Sequence, residues 1–96
     1  MADILIEREH SLSLEQARKL AHTWAEQAQE TFSVECSYTE GETADTVTFT
    51  RAGLDGVLHV QAGQFRLEAE LGFLLSSFKG RIEAEIAKNL DTLLAA

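Results

Sequence analysis

The chain has 96 residues, 45% of them hydrophobic and 25% charged, which are the proportions of a folded globular protein rather than of a disordered or fibrous one. That length excludes two domains, and because a chain this short buries only ~60–65% of its unfolded surface, little area remains for a deep catalytic cavity. Sixteen acidic against eight basic residues give a net charge of −8, a field that repels phosphate backbones and anionic headgroups, so nucleic acid is not an expected partner.

From the N-terminus, Asp3 to Glu9 alternates Ile4 and Ile6 with Asp3, Leu5 and Glu7, the period of a short strand. The opening Met1 to His10 has no basic stretch before a long apolar run, so no signal peptide is expected. Ser13 followed by Gln16 is a capping box that opens a helix. On a helical wheel Leu14, Ala17, Leu20, Ala21, Trp24, Ala25, Ala28 and Phe32 fall within an arc of roughly 140°. Arg18, Lys19, His22, Glu26, Gln29 and Glu30 form the opposite face, which reads as solvated. The alanines permit close approach to an underlying sheet.

Beyond Phe32 the period changes to two. Val34, Cys36 and Tyr38 alternate with Glu35, Ser37 and Thr39, and Val47 and Phe49 alternate with Thr46, Thr48 and Thr50. Glu40 to Asp45 reads as a polar loop, and Arg51 to Gly56 as the next reversal. Two further strands follow, one with Leu58, Val60 and Ala62 inward, the other with Phe65, Leu67, Ala69 and Leu71 inward, joined at Ala62-Gly63-Gln64. The short connections imply antiparallel hairpins. From about Ser76 to Leu94, Phe78, Ile82, Ile86, Leu90 and Leu93 share one helical face, which Leu75 continues upstream. Asn89 stands near the same stripe, where a buried amide needs a partner.

The expected fold is therefore α+β, one unit over 1–96: an antiparallel five-stranded sheet with two helices on one face, in the order strand, helix, four-strand meander, helix. The other sheet face is wet. If the first strand joins the last, the strand order is 1-5-4-3-2. No apolar run reaches the roughly 18 residues of a spanning helix, and no membrane span is expected. With a single cysteine there is no internal disulfide, and a cytoplasmic location is the default.

No catalytic, cofactor-binding or metal-ligating set emerges. His22 and Glu26 have the i, i+4 spacing of two ligands but lack a third, and read as a surface pair. His10 and His59 read as solvated, and Cys36 as a small core hydrophobe. The strand pairs Glu7/Glu9 and Glu68/Glu70 each share one solvated environment, whereas acid/base catalysis needs two pKa values held apart, and Glu83/Glu85 reads as helix surface flanked by Arg81 and Lys88. Nucleophile elbow, phosphate-binding glycine loop, zinc-type cysteine pairing and dinucleotide fingerprint are all missing. The junction between last strand and last helix is the candidate site. There Leu71, Phe73, Leu74, Leu75 and Phe78 either close the end of the core or form an exposed hydrophobic interaction surface or ligand portal, rimmed by Lys79 and Arg81.

Ile6 to His10, the Trp24-bearing helix, and the run from Leu71-Gly72-Phe73-Leu74-Leu75 through Phe78-Lys79-Gly80-Arg81-Ile82 to Asn89-Leu90 together resemble the polyhydroxyalkanoic acid system proteins. The resemblance runs essentially end to end. It implies a small bacterial protein tied to the genes for making and using polyhydroxyalkanoate storage granules, and it carries over no catalytic residues. The element order is also similar to a shortened START-like helix-grip fold, which implies an apolar ligand enclosed between sheet and last helix, although the extra strands of that fold are missing here.

Three readings follow. The leading one is a non-enzymatic accessory protein that binds a granule surface or a granule protein. The second is a carrier holding a small acyl ligand between the sheet and the C-terminal helix. The third, an enzyme acting on hydroxyacyl substrates, is weakened by the missing motifs. An uncovered edge strand or the wet sheet face offers a surface for a homodimer.

Overall fold

The computed structural model describes residues 3–95; Met1 and Ala2, part of the N-terminal stretch considered above, and Ala96 lie outside the described residues. All five alternating segments become strands: β1 (Ile4–Glu9), β2 (Glu35–Thr39), β3 (Ala44–Arg51), β4 (Leu54–Gln61) and β5 (Gln64–Leu71). They pair antiparallel in the order β1-β5-β4-β3-β2, as the sequence predicts. Helix α1 (Leu14–Phe32) links β1 to β2, which form opposite edges of the sheet, so it must cross the sheet. A single 3-10 turn (Ser76–Phe78) leads into α2 (Lys79–Ala95).

The capping box forms as the sequence implies. Gln16 N–H donates to Ser13 Oγ at 3.2 Å, and Ser13 N–H donates to Gln16 Oε1 at 3.2 Å. At the other end Ser33 closes α1 in the left-handed region, with φ 56°, a conformation that favours glycine. Ala17, Ala21, Trp24, Ala25 and Ala28 are buried, and Leu14, Leu20 and Phe32 pack against the same core. Beneath them lie Ile4, Ile6, Val47, Phe49, Leu54, Leu58, Val60, Phe65, Leu67 and Ala69, all from one side of the pleat. Helix α2 adds Ile86, Leu90 and Leu93 to this cluster, so both helices cover one face. Exposed outward residues include Glu35, Ser37, Thr39, Thr48, Thr50, Asp55 and Arg66.

Several boundaries differ from the sequence reading. The β3–β4 reversal is only Ala52-Gly53, because Arg51 pairs with Leu54. Gly53, with φ 83°, and Gly63, with φ 82°, supply the left-handed residue in the two tight hairpins. Gly56 extends β4 rather than turning it. It lies opposite Phe49, whose ring covers the space a Cβ would need. Phe49 in turn meets the Trp24 ring edge-on, with centroids 5.2 Å apart and planes at 71°. The loop expected over Glu40–Asp45 is shorter, since Ala44 and Asp45 already belong to β3. Phe78, expected in the buried stripe, is 54% exposed. It sits in the tighter 3-10 turn, where the spacing of side chains differs from that of the α-helix that follows.

Candidate functional site

The β5–α2 junction is ordered by its own backbone. Gly72 N–H donates to the Gly53 carbonyl at 2.7 Å, Ser76 N–H to Gly72 at 3.0 Å, and Phe78 N–H to Leu75 at 2.9 Å. Ser76 Oγ donates to the Phe73 carbonyl at 2.8 Å. These bonds turn the chain so that Leu71 and Leu75 pack against the core, Leu75 in contact range of Gly53. Of the three residues between, Gly72 makes the backbone bonds and the other two point away: Phe73 is 91% exposed and Leu74 80%. With Phe78 they make an apolar ridge, and Lys79 and Arg81 are exposed just beyond it. The alternative that Phe73 and Leu74 close the core does not occur. Neither side chain gains from burial in the isolated chain, whereas fully burying each against another apolar surface is worth ~1.5–3 kcal/mol.

Beside the ridge, where the sheet and the start of α2 diverge, lies a groove of about 320 Å³. Phe32 at the end of α1, Leu54 at the start of β4, and Leu75, Phe78 and Ile82 line it. Arg51, Arg81 and Glu85 are its polar members. Of the predicted site residues, Leu75, Phe78 and Arg81 thus contribute to the groove, while Phe73 and Leu74 form the adjoining ridge. Phe32, Arg51 and Leu54 were not legible as site residues, because they come from segments brought together only by hairpin pairing and helix crossing, whereas Ile82 and Glu85 lie within about a turn of Arg81 on α2 and helical spacing could have found them. Arg51 also donates from Nη1 to the Phe32 carbonyl at 2.8 Å, satisfying one of the open carbonyls at the end of α1. The first turn of α2 contains Lys79 and Arg81 and no acidic residue, against the preference of a helix N-terminus for negative charge.

A second constellation joins Arg18, His22 and Asp45, which the sequence placed in solvent, to Tyr38, which it placed on the inward side of its strand. Asp45 is only 1% exposed. Its carboxylate accepts from Arg18 Nε at 2.6 Å and Nη2 at 3.0 Å, from Tyr38 Oη at 2.6 Å and from Gly41 N–H at 3.0 Å. Arg18 Nη2 also donates to the Gly41 carbonyl at 3.1 Å. His22 stacks on Tyr38 with centroids 3.8 Å apart, and its Nε2 lies 3.5 Å from Glu40, not paired with Glu26 as its spacing suggested. The Arg18 guanidinium holds the Asp45 carboxyl down to about 2 despite burial. Burial, then the neighbouring carboxylate, pushes the Tyr38 phenol up, and Asp45 pushes Arg18 up. None of these three groups changes protonation near neutral pH, so the cluster pins the β2–β3 hairpin to α1 rather than shuttling protons. The signal was present: Asp45 stands in phase with Val47 and Phe49, and extending their alternation backwards turns it inward.

The remaining candidates fall as follows. His10 is half-buried rather than solvated: its Nδ1 accepts from Leu12 N–H at 3.1 Å and its ring lies 4.7 Å from that of Phe65. Desolvation lowers its pKa. His59 lies on the outer face, 3.8 Å from Glu68, which also pairs with Arg66 at 2.9 Å. Cys36 is half-buried, donating weakly to the Ala25 carbonyl at 3.6 Å, and burial raises its pKa. Glu7 accepts from Gln64 Nε2 at 3.2 Å, and Asn89 is half-buried at the edge of the core. Among the described residues no three His, Cys, Asp or Glu side chains gather in a group able to hold a metal ion. No helix among them is long and apolar enough to cross a membrane.

Residues 4–94 match the model of a family described as "putative polyhydroxyalkanoic acid system protein". The chain belongs to that family. No curated protein and no solved structure matches it.

Proposed function

We propose that this polyhydroxyalkanoic acid system protein is a non-enzymatic accessory factor that adsorbs to the storage granule, at its polyester surface or a protein upon it. The observation that carries the reading is the ordered exposure of Phe73 and Leu74 on a ridge continued by Phe78. Family membership supplies the polyester context. Burying the first two side chains yields ~3–6 kcal/mol before association costs, which suits reversible adsorption rather than tight docking. The net charge of −8 keeps the rest of the body dispersed in water. Co-sedimentation with isolated granules tests the reading. The parent should pellet and a Phe73→Asp/Leu74→Asp variant should stay in the supernatant; failure of both to pellet, or equal pelleting, overturns it.

The groove favours a second reading, a carrier for a small acyl ligand. Its walls come from the end of α1, the β3–β4 hairpin, the β5–α2 junction and the start of α2, and its volume reaches the lower end of the ~300–1,000 Å³ typical of ligand pockets. Native mass spectrometry of gently purified protein should then show added acyl mass, and apo protein across several lipid mixtures counts against it.

A further inference from the structure

We infer that the groove is selective for an acyl carboxylate, with the aliphatic tail against Phe32, Leu54 and Ile82 and the head between Arg51 and Arg81. This rests on the carrier reading and adds the head group and the residues that choose it. The inference starts from how the chain disposes of its arginines. There are five. Arg8 pairs with Asp91 at 2.7 Å, Arg18 with Asp45 at 2.6 Å and Arg66 with Glu68 at 2.9 Å. The other two, Arg51 and Arg81, have no carboxylate partner among the described residues, although the chain carries sixteen acidic side chains. Both line the groove, whose other walls apart from Glu85 are apolar. Glu85 also lines it, yet forms no ion pair with either guanidinium.

An apolar trough with two unneutralised guanidinium groups complements an amphiphile that is aliphatic at one end and anionic at the other. Arg51 is oriented by its bond to the Phe32 carbonyl, leaving its other N–H groups for a ligand. Guanidinium forks match the planar, two-oxygen face of a carboxylate. Phosphate-bearing polymers fit less well, since the net charge of −8 opposes them beyond the groove. Glu85, also in the lining, disfavours a ligand with a second negative charge.

Three probes with the same eight-carbon tail separate the contributions: sodium octanoate, octan-1-ol and octyltrimethylammonium, each below its aggregation threshold and followed by amide and methyl NMR shifts. Octanoate should shift Phe32, Leu54 and Ile82 saturably and bind tighter than octanol, with the ammonium weakest. Arg81→Glu should weaken octanoate at least fivefold at low salt, since it replaces an exposed attraction by a repulsion, while leaving octanol unchanged. Each CH₂ added between hexanoate and octanoate should tighten binding about fourfold while groove remains to fill. The ridge variant Phe73→Asp/Leu74→Asp should still bind octanoate. Equal binding of all three probes overturns the carboxylate clamp but leaves the carrier reading standing. No saturable shift with any probe overturns both. Groove shifts that track protein concentration without probe place a second copy of the chain there and also overturn the inference.

Discussion

Replacing Asp45 by Asn tests the polar pin directly. All four neighbours of this carboxylate are donors, with Arg18 Nε and Tyr38 Oη on Oδ2, and Arg18 Nη2 and Gly41 N–H on Oδ1. An amide of the same shape must turn its NH₂ toward one of these pairs, which leaves donors facing donors in a buried place. The native carboxyl lies at about 2 against an ordinary 3.8, a difference worth roughly 2–3 kcal/mol at neutral pH. Breaking a fully buried pair costs ~3–5 kcal/mol. Arg18 keeps partial access to water and to Glu40 at 3.7 Å, so the lower range applies. We expect Asp45→Asn to lose about 2–3 kcal/mol and about 10–20 °C in Tm. The sign of the pH dependence follows from the depressed pKa: the contribution is complete above the unfolded value near 4 and fades as pH falls through about 2. Urea melts of parent and variant at about pH 7 and about pH 2.5 should show a gap that shrinks in acid. A gap below ~0.5 kcal/mol at neutral pH, or one that does not change with pH, refutes the buried ion pair as the source of stability.

Gly56→Ala should cost ~1–3 kcal/mol in urea melts, because the new methyl needs the space of the Phe49 ring, itself held against Trp24. Ser33→Gly should raise stability by ~0.5–1 kcal/mol by relieving the left-handed end of α1, and a loss in the same melts would contradict the capping geometry. The His10 imidazole should titrate below 6.5 in NMR, with its contribution to stability complete above that pH and declining as pH falls; a midpoint above 6.5 contradicts its desolvation. Phe73→Asp/Leu74→Asp should change Tm by less than ~3 °C, since neither side chain is buried, so any loss of granule binding is not a loss of folding.

Much of the architecture was legible because burial imposes a period. Ile4 and Ile6, or Phe65, Leu67 and Ala69, declare a strand face without reference to any other segment, and the capping box at Ser13 and Gln16 is a local device. Boundaries slipped where a polar or small residue took an inward position. Asp45 made the reading of β3 begin late because a carboxylate does not look like core, and Gly56 suggested a turn because its reason for being glycine, the Phe49 ring, lies on the neighbouring strand. The ridge could be named as a candidate from its density of apolar residues. Its exposure could not, since that depends on the bonds joining Gly72 to Gly53 and Ser76 to Gly72.

Local pattern is enough to show which residues alternate, which share a helical stripe, where the first helix starts, and that the strands follow one another in hairpins, because these depend on backbone geometry and neighbours a few positions away. Tertiary structure alone decided that Arg18, Tyr38 and Asp45 meet, that Phe78 leaves the buried stripe, and that Phe32, Arg51, Leu54 and Ile82 wall one groove. Arg18 meets Asp45 across 27 positions and Phe32 shares the groove with Ile82 across 50, separations at which no local pattern reports what will be adjacent. There the cost of burying a charge, or of leaving a guanidinium without a partner, is set by what the folded chain places beside it.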